Sequence, residues 1–492
     1  MPSRQIVSPD SLRRLLVALG LLLSAGMAVR AQAGGDQLNL LARGWLLEAR
    51  GVLIPYGNPL SSGGDGPGIA TTLLMAGPLA IWSDHRAPVA LIWLLHLAAW
   101  LLLDRRLRGV FSPWERCAFA VVYWLNPWRL EASAFLWNPN FLFFFGALHL
   151  ATAFDQRERP RFGASFLHVL ALGVGSQLHP AMLLLIVASF LLWRRGVAHV
   201  HWGGVAAGAA LTGVLLVPWW LAAASQPAIV AAGEGFPFRG LIWFQPWVKG
   251  LSYWLRYPSL LINKQSAIFD FSALVGPAAD RLLAPLASGL VAVAGAATLA
   301  AVLLANVDFF RRRFAAGLRA AFAAAPDTGR AMPSGPRRFF EDYAFWCFVS
   351  AVAVFAAAPT TPQSWQAVPL FQAAVMTVVF WLGGKLDAAA SAPAARRGLV
   401  AAATASIAIL LALAAGGPNF RCGGRHGVVI PLRADSPMFE ELGLQRTCPW
   451  PLDVPGEWWP DVLPEESGDA DPAGQGQTST SSSSSTGSAG AR

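Results

Sequence analysis

Asp36 opens the segment Asp36-Gln37-Leu38-Asn39-Leu40-Leu41-Ala42-Arg43-Gly44-Trp45-Leu46-Leu47-Glu48-Ala49-Arg50-Gly51, directly after the first membrane-length apolar run. A carboxylate at a membrane surface can take a proton from a hydroxyl or amine brought beside it. Behind it, apolar residues recur at Leu38, Leu41, Trp45, Leu46 and Ala49, with Arg43, Glu48 and Arg50 between them. This is helical spacing, and it predicts an amphipathic helix lying flat on the membrane. The stretch from Ile54 to Gly68 follows, and its glycines, prolines and hydroxyls suit a loop that folds over a ligand. Tyr56, Asn58, Ser61 and Ser62 are its candidate substrate contacts, and Asp65 is its carboxylate. Both acids also have plainer readings, Gly35-Asp36 as a helix N-cap and Gly64-Asp65-Gly66 as a turn.

The elements that must hold these residues lie in lipid. Of 492 residues, 55% are hydrophobic and only 13% charged, where a soluble domain carries about a quarter charged residues. The mean hydropathy is +0.46. No soluble core could bury so much apolar surface. The formal charge is +9, from 37 Lys and Arg against 28 Asp and Glu, but the basic residues fall in short clusters between apolar runs. That pattern marks membrane topology and excludes nucleic acid as the partner.

Apolar runs occupy 13–33, 87–103, 116–130, 139–154, 164–178, 180–193, 200–224, 282–305, 343–358, 367–384 and 398–416, predicting about eleven spans. The run 69–82 is shorter than the roughly twenty residues a crossing needs, and reads as interfacial or re-entrant. Charge supports this choice. If 69–82 does not cross, then Arg13-Arg14, Asp104-Arg105-Arg106-Leu107-Arg108, Arg157 to Arg161, Arg194-Arg195, Arg311 to Arg313 with Arg337-Arg338, and Arg396-Arg397 all fall on the cytoplasmic side. If it does cross, every later cluster breaks the positive-inside rule.

The expected protein is therefore multi-pass in a bacterial inner (plasma) membrane, with a cytoplasmic N-terminus. Residues 34–86, a loop at 225–281 and the tail after 416 are exported. Arg13-Arg14, the Leu-rich run and Ala31-Gln32-Ala33 also resemble a signal peptide with its cleavage site, and under either reading Asp36 is exported. Cys117 and Cys347 fall inside spans as small apolar residues, whereas Cys422 and Cys448 lie in the exported tail, where an oxidising compartment lets them pair as a disulfide. The tail divides into 417–463, rich in Pro and Trp and suited to a small ordered cap, and 464–492, a Ser- and Gly-rich stretch expected to be disordered.

This order of features resembles the GT-C membrane glycosyltransferases: an acid after the first span, an amphipathic helix ending in Gly51, the Tyr56-Gly57-Asn58-Pro59 and Ser61-Ser62-Gly63-Gly64 loop, a re-entrant helix, and a span closing on Asp104-Arg105-Arg106-Leu107-Arg108-Gly109. Within them it is similar to glycosyltransferase family 39, the protein O-mannosyltransferases, and to the aminoarabinose transferases. Trp124-Leu125-Asn126-Pro127, Trp137-Asn138-Pro139-Asn140 and Gly173-Val174-Gly175-Ser176-Gln177-Leu178-His179-Pro180 extend the resemblance, which covers roughly residues 10–220. It implies an all-α polytopic membrane protein, a GT-C-like bundle over residues 1–416 with exported amphipathic and re-entrant helices in the first outer loop.

The resemblance also implies roles. A sugar on a polyprenyl phosphate would be attacked at its anomeric carbon by an exported acceptor glycan, lipid or protein, with Asp36 as base and inversion in a single displacement. Many family members carry Asp-Glu at this point, whereas this chain has Asp36-Gln37, so Asp65 is the nearest substitute for the second acid. The departing lipid phosphate needs cations or hydrogen-bond donors, for which His179, Arg129, Lys249, Arg256 and Lys264 are candidates, with Asn138 as a further substrate contact. Trp243, Phe244, Trp247, Tyr253, Trp254 and Tyr257 supply aromatic surface for a sugar face or prenyl chain, or an aromatic belt. No cofactor is called for, and whether the carboxylates act as a base alone or hold a divalent metal ion with the substrate phosphate stays open. Two rivals stand beside the enzyme, a transporter or flippase of a lipid-linked substrate and a non-catalytic member of the same fold. A transporter often has pseudo-symmetric halves with broken helices, and none is visible in this sequence.

Overall fold

The structure, a computed structural model, describes residues 8–33, 36–60, 64–230, 238–315, 335–420 and 437–444. Ser61 and Ser62 of the expected substrate loop, Cys422 and Cys448 of the expected disulfide, and the tail from 464 lie outside the described residues. Every regular element among the described residues is helical.

In chain order these are α1 (Pro9–Val29), α2 (Asp36–Arg50), α3 (Ala70–Ile81) and α4 (Ala87–Leu107). Next, α5 (Pro113–Phe119), a π-helical turn over Ala120–Trp124 and α6 (Pro127–Ala132) form one run, followed by α7 (Asn138–Asp155), α8 (Phe162–Leu178), α9 (Leu183–Arg194) and α10 (Trp202–Ser225). The remainder is α11 (Arg239–Ile242), α12 (Phe244–Arg256), α13 (Ser272–Phe314), α14 (Pro336–Ala357), α15 (Ser364–Ala367), α16 (Phe371–Asp387), α17 (Ala392–Gly416) and α18 (Pro437–Glu441).

Among the described residues, seven helices are long and apolar enough to cross a membrane: α1, α4, α10, α13, α14, the α15–α16 run and α17. The other expected spans coincide with the shorter helices α7, α8 and α9 and the α5–π–α6 run. Burial separates the centre of the bundle from its rim. All ten residues Phe371 to Phe380 of α16 are buried, as are most of α7, whereas α10 exposes Leu211, Val214, Val217, Trp220 and Leu221. A helix apolar all round and buried all round belongs at the centre, and one with bare leucine and tryptophan faces lipid.

Lipid offers no hydrophobic drive between helices, so close packing through small residues must hold them together. Gly173 of α8 is such a contact, since a Cβ there would stand 2.2 Å from Thr212 Oγ1 of α10. Gly44 lets α2 lie on α3, where a Cβ would meet Met75 Cβ at 2.4 Å.

Ion pairs gather the basic clusters at one end. Asp104 takes Arg13 at 3.1 Å and Arg116 at 2.9 Å, tying α1, α4 and α5, while Arg106 meets Asp155 at 2.5 Å and Arg337 meets Glu115 at 2.8 Å. At the opposite end, Trp45 Nε1 donates to Glu441 at 2.6 Å, and the His85 backbone N–H donates to the Leu442 carbonyl at 3.2 Å. The helix α2 therefore touches α18, and the turn after α3 touches the residue that follows it. With twelve residues, α3 is about 18 Å long, short of the roughly 30 Å hydrocarbon layer. Its length and its neighbours agree with a helix that does not cross.

The helix α2 departs from a simple amphipathic reading. Leu38, Leu41, Trp45 and Leu46 are buried as the spacing predicts, but Leu40, Ala42 and Arg43 are buried too. The segment after α2 folds back over this face, so α2 is enclosed by protein there and is not a helix with one wet side.

Candidate active site

Two cavities meet at Asp36, the first residue of α2. One, of about 330 Å³, is lined by Asn58, Asn138, His179, Thr360 and Gln366 among apolar walls of Leu178, Leu183, Leu184, Val354 and Phe355. The other, of about 290 Å³, is lined by Glu131, Asn140, Asn263, Gln265, Ser266, Ser364 and Asn419, with Trp128, Phe135, Phe143 and Tyr257. The two share Asp36, Trp137, Pro139 and Trp365, and among the described residues Asp36 is the one ionisable residue common to both linings. Trp137 and Trp365 stand edge to face with centroids 5.1 Å apart. Among the described residues, no Lys or Arg lines either cavity.

The loop beside Asp36 is shaped by Arg43, one of the residues that sequence reasoning missed. Arg43 is 6% exposed, and its guanidinium donates to the Tyr56 carbonyl at 3.1 Å, the Gly57 carbonyl at 3.0 Å, the Asn39 carbonyl at 3.1 Å and Asn58 Oδ1 at 3.3 Å. The loop closes on itself through Gly57 N–H to Gly66 O at 2.8 Å and Gly66 N–H to Asn58 O at 3.0 Å, with Pro59 bridged to Asp65. This small hairpin delivers Asn58 to the His179 cavity. Asp36, Asn39 and Arg43 fall at i, i+3 and i+7, one polar stripe along a helix, which was the available signal.

Asp65 and Tyr56 line neither cavity. Pairing with Pro59 keeps Asp65 in the hairpin, half-buried. Burial pushes its carboxyl above the ordinary value, with the nearby Arg43 guanidinium opposing that shift in part.

The motif from Gly173 to Pro180 has a divided task. Gly175 admits Met182, and Gln177 Oε1 accepts the Ala70 N–H at 3.2 Å, holding the start of α3. Gly68 makes room for that amide: its φ is +82°, and a Cβ would lie 2.1 Å from Gln177 Oε1. His179 then turns into the cavity wall. Its Nδ1 accepts the Ala181 N–H at 3.1 Å, which leaves Nε2 to carry the proton of the neutral ring. In the Trp137-Asn138-Pro139-Asn140 motif, Asn140 Nδ2 closes the turn on the Phe135 carbonyl at 2.9 Å, while Asn138 Oδ1 is buried without a protein partner in the wall of the His179 cavity.

The expected phosphate cations are placed elsewhere. Arg129 is fully buried and caps the π-helical turn, donating to the Tyr123 carbonyl at 3.0 Å and the Trp124 carbonyl at 2.8 Å, with Trp124 beneath it at 4.1 Å. Helix-end carbonyls need donors, and this guanidinium is committed to them. Lys249 donates to Gln363 Oε1 at 2.9 Å, at the rim, and Arg256 lies over Tyr253 and Trp128. Lys264 is exposed between the cavity residues Asn263 and Gln265. Of the loop aromatics, Tyr257 alone lines a cavity; Trp254 donates to Asn306 Oδ1 at 2.8 Å and Trp247 to the Val352 carbonyl at 3.1 Å.

Glu131, Trp128 and Trp365 were not anticipated. Glu131 is 5% exposed and takes the Asn419 amide at 2.9 Å. Its position at the outer end of the run 116–130 was readable as an acid on the same side as Asp36. Trp128 Nε1 is buried without a protein partner in the same wall. No group of three or more His, Cys, Asp or Glu able to hold a metal ion occurs among the described residues.

Fold and site together define a multi-pass helical membrane protein with a paired cavity at one end. No family model matches the chain. Among curated proteins it is similar to the heme A synthase of Rhizorhabdus wittichii, 27% identical over 201 residues, covering 35% of this chain and 56% of that one. The chain thus matches little more than half the length of that relative. Among solved structures it is similar to ArnT from Cupriavidus metallidurans bound to undecaprenyl phosphate, at a TM-score of 0.42 and 14% identity, covering 82% of this chain and 77% of that one.

Proposed function

We propose that this protein is a GT-C-type glycosyltransferase that moves a sugar from a polyprenyl phosphate to an acceptor, with Asp36 as the base. The observation that carries the reading is the position of Asp36, the shared ionisable residue where a largely apolar cavity meets a polar, aromatic one. Apolar walls suit the prenyl end of the donor. Amides, aromatic faces and the Glu131 carboxylate suit a hydroxyl-bearing acceptor.

In this reading the acceptor oxygen bonds to the anomeric carbon as the bond from that carbon to the phosphate oxygen breaks. The electron pair leaves with the polyprenyl phosphate, the acceptor proton passes to the Asp36 carboxylate, and one displacement inverts the carbon. The leaving phosphate meets neutral donors, the His179 Nε2–H and the amides of Asn58, Asn138 and Gln366.

The test is sugar transfer from labelled polyprenyl-phosphate sugars by purified protein in vesicles, comparing wild type with Asp36→Asn and Asp36→Ala at equal membrane expression. Loss of a general base lowers transfer by about 10²- to 10⁴-fold. Full transfer in both variants would overturn the assignment, and movement of the lipid-linked sugar across the vesicle without covalent product would favour transport.

A further inference from the structure

The Asp104-Arg105-Arg106-Leu107-Arg108 motif has a use beyond topology. At the end of the bundle away from Asp36, an open cavity of about 590 Å³ is lined by Arg105, Arg106, Asp155, Arg157, Val110 and Phe154, with Gly109 and Pro336 completing it. Three guanidinium groups face one carboxylate. We propose that this cavity is a second binding site, for a phosphate group, formed by Arg105, Arg106 and Arg157 and independent of the chemistry at Asp36.

The internal partners leave donors over. Arg106 spends one nitrogen on Asp155 at 2.5 Å and another on the Leu102 carbonyl at 3.2 Å, while its buried Nε has no hydrogen-bond partner. Arg157 is arranged in the same way, with the Phe154 carbonyl at 3.0 Å, Glu158 at 2.5 Å and a buried Nε without a partner. Its guanidinium is braced at 3.9 Å over the Phe154 ring. Arg105 is exposed and makes no hydrogen bond or ion pair among the described residues. A guanidinium offers paired donors that match phosphate oxygens, and the exposed Arg105 keeps its donors available at this cavity. Basic pockets between membrane helices are suited to phosphate headgroups, and the apolar Val110 and Phe154 walls suit the start of a lipid acyl chain.

The experiment titrates the detergent-purified full chain with dioleoylphosphatidylglycerol, reading bound lipid by native mass spectrometry, with inorganic phosphate as competitor. Wild type is expected to bind at a saturable site, Arg105→Gln to bind more weakly, and Arg105→Gln with Arg157→Gln to lose at least about tenfold in affinity. Arg105 is exposed and unpaired, so its single variant reads the site without dependence on the fold. Competition by phosphate assigns the site to the phosphate group alone; saturable lipid binding without competition assigns it to a lipid headgroup. Arg194→Gln removes equal charge outside the cavity, and an equal loss in that variant, or unchanged binding in both cavity variants, overturns the proposal.

Discussion

Trp137 and Trp365 meet edge to face at 5.1 Å, and each ring lines both of the cavities that join at Asp36. The pair is the partition between the two spaces. Replacing Trp365 with Ala removes one half of it and merges them. The expected outcome is a fall of about tenfold in transfer, the scale of one misplaced reactant, with a rise in the fraction of donor sugar released to water. A product assay that separates transferred from free sugar checks this; an unchanged ratio would remove the partition role.

Arg43 is the anchor of the hairpin beside Asp36. Arg43→Ala strands the buried carbonyl of Gly57 and the half-buried carbonyl of Tyr56, a cost of about 2–4 kcal/mol. A lower thermal unfolding temperature in detergent and new protease cleavage within residues 52–68 are the expected readouts. Arg43→Lys, with one compact ammonium, should recover only part of the loss.

Asp65 makes that hairpin sensitive to acid in a defined direction. Its carboxyl holds a proton more tightly folded than unfolded, because burial outweighs Arg43. The resulting stability is fully present below the unfolded value of 3.8 and is lost as pH rises through the higher folded value. Unfolding temperatures measured across this window should fall with rising pH more steeply in wild type than in Asp65→Asn, and parallel curves would refute the coupling.

His179 does two jobs that substitution can separate. His179→Asn keeps a side-chain acceptor for the Ala181 N–H, so folding should persist. Transfer should drop by about 10- to 100-fold if the Nε2–H serves the leaving phosphate. Asn with wild-type turnover would leave His179 as a turn residue only.

Much of the scaffold was legible before the structure. The eleven apolar runs coincide with helices, 69–82 is a short helix, and the cytoplasmic-labelled arginine clusters of α1, α4 and α14 converge at one end. Hydropathy and charge report these features because lipid imposes them residue by residue along the chain. The site was legible in part: Asp36, Asn58, Asn138 and His179 do share one cavity.

The remainder depended on contacts far apart in sequence. Arg129, Arg43 and Arg256 are alike as letters, yet one caps a π-helical turn, one anchors a hairpin and one lies on aromatic rings. A guanidinium is committed by whichever carbonyl, ring or carboxylate packing brings to it, and no local pattern encodes that neighbour. By itself the sequence determined which segments form apolar helices and that Asp36 lies at the end of the bundle away from the arginine clusters. Only the tertiary structure decided that Asp36 stands where two cavities join, that Glu131 and Trp365 stand with it, and that the expected cations do not, because walls built from α2, α6, α7 and the 358–366 connection exist only once those elements have packed.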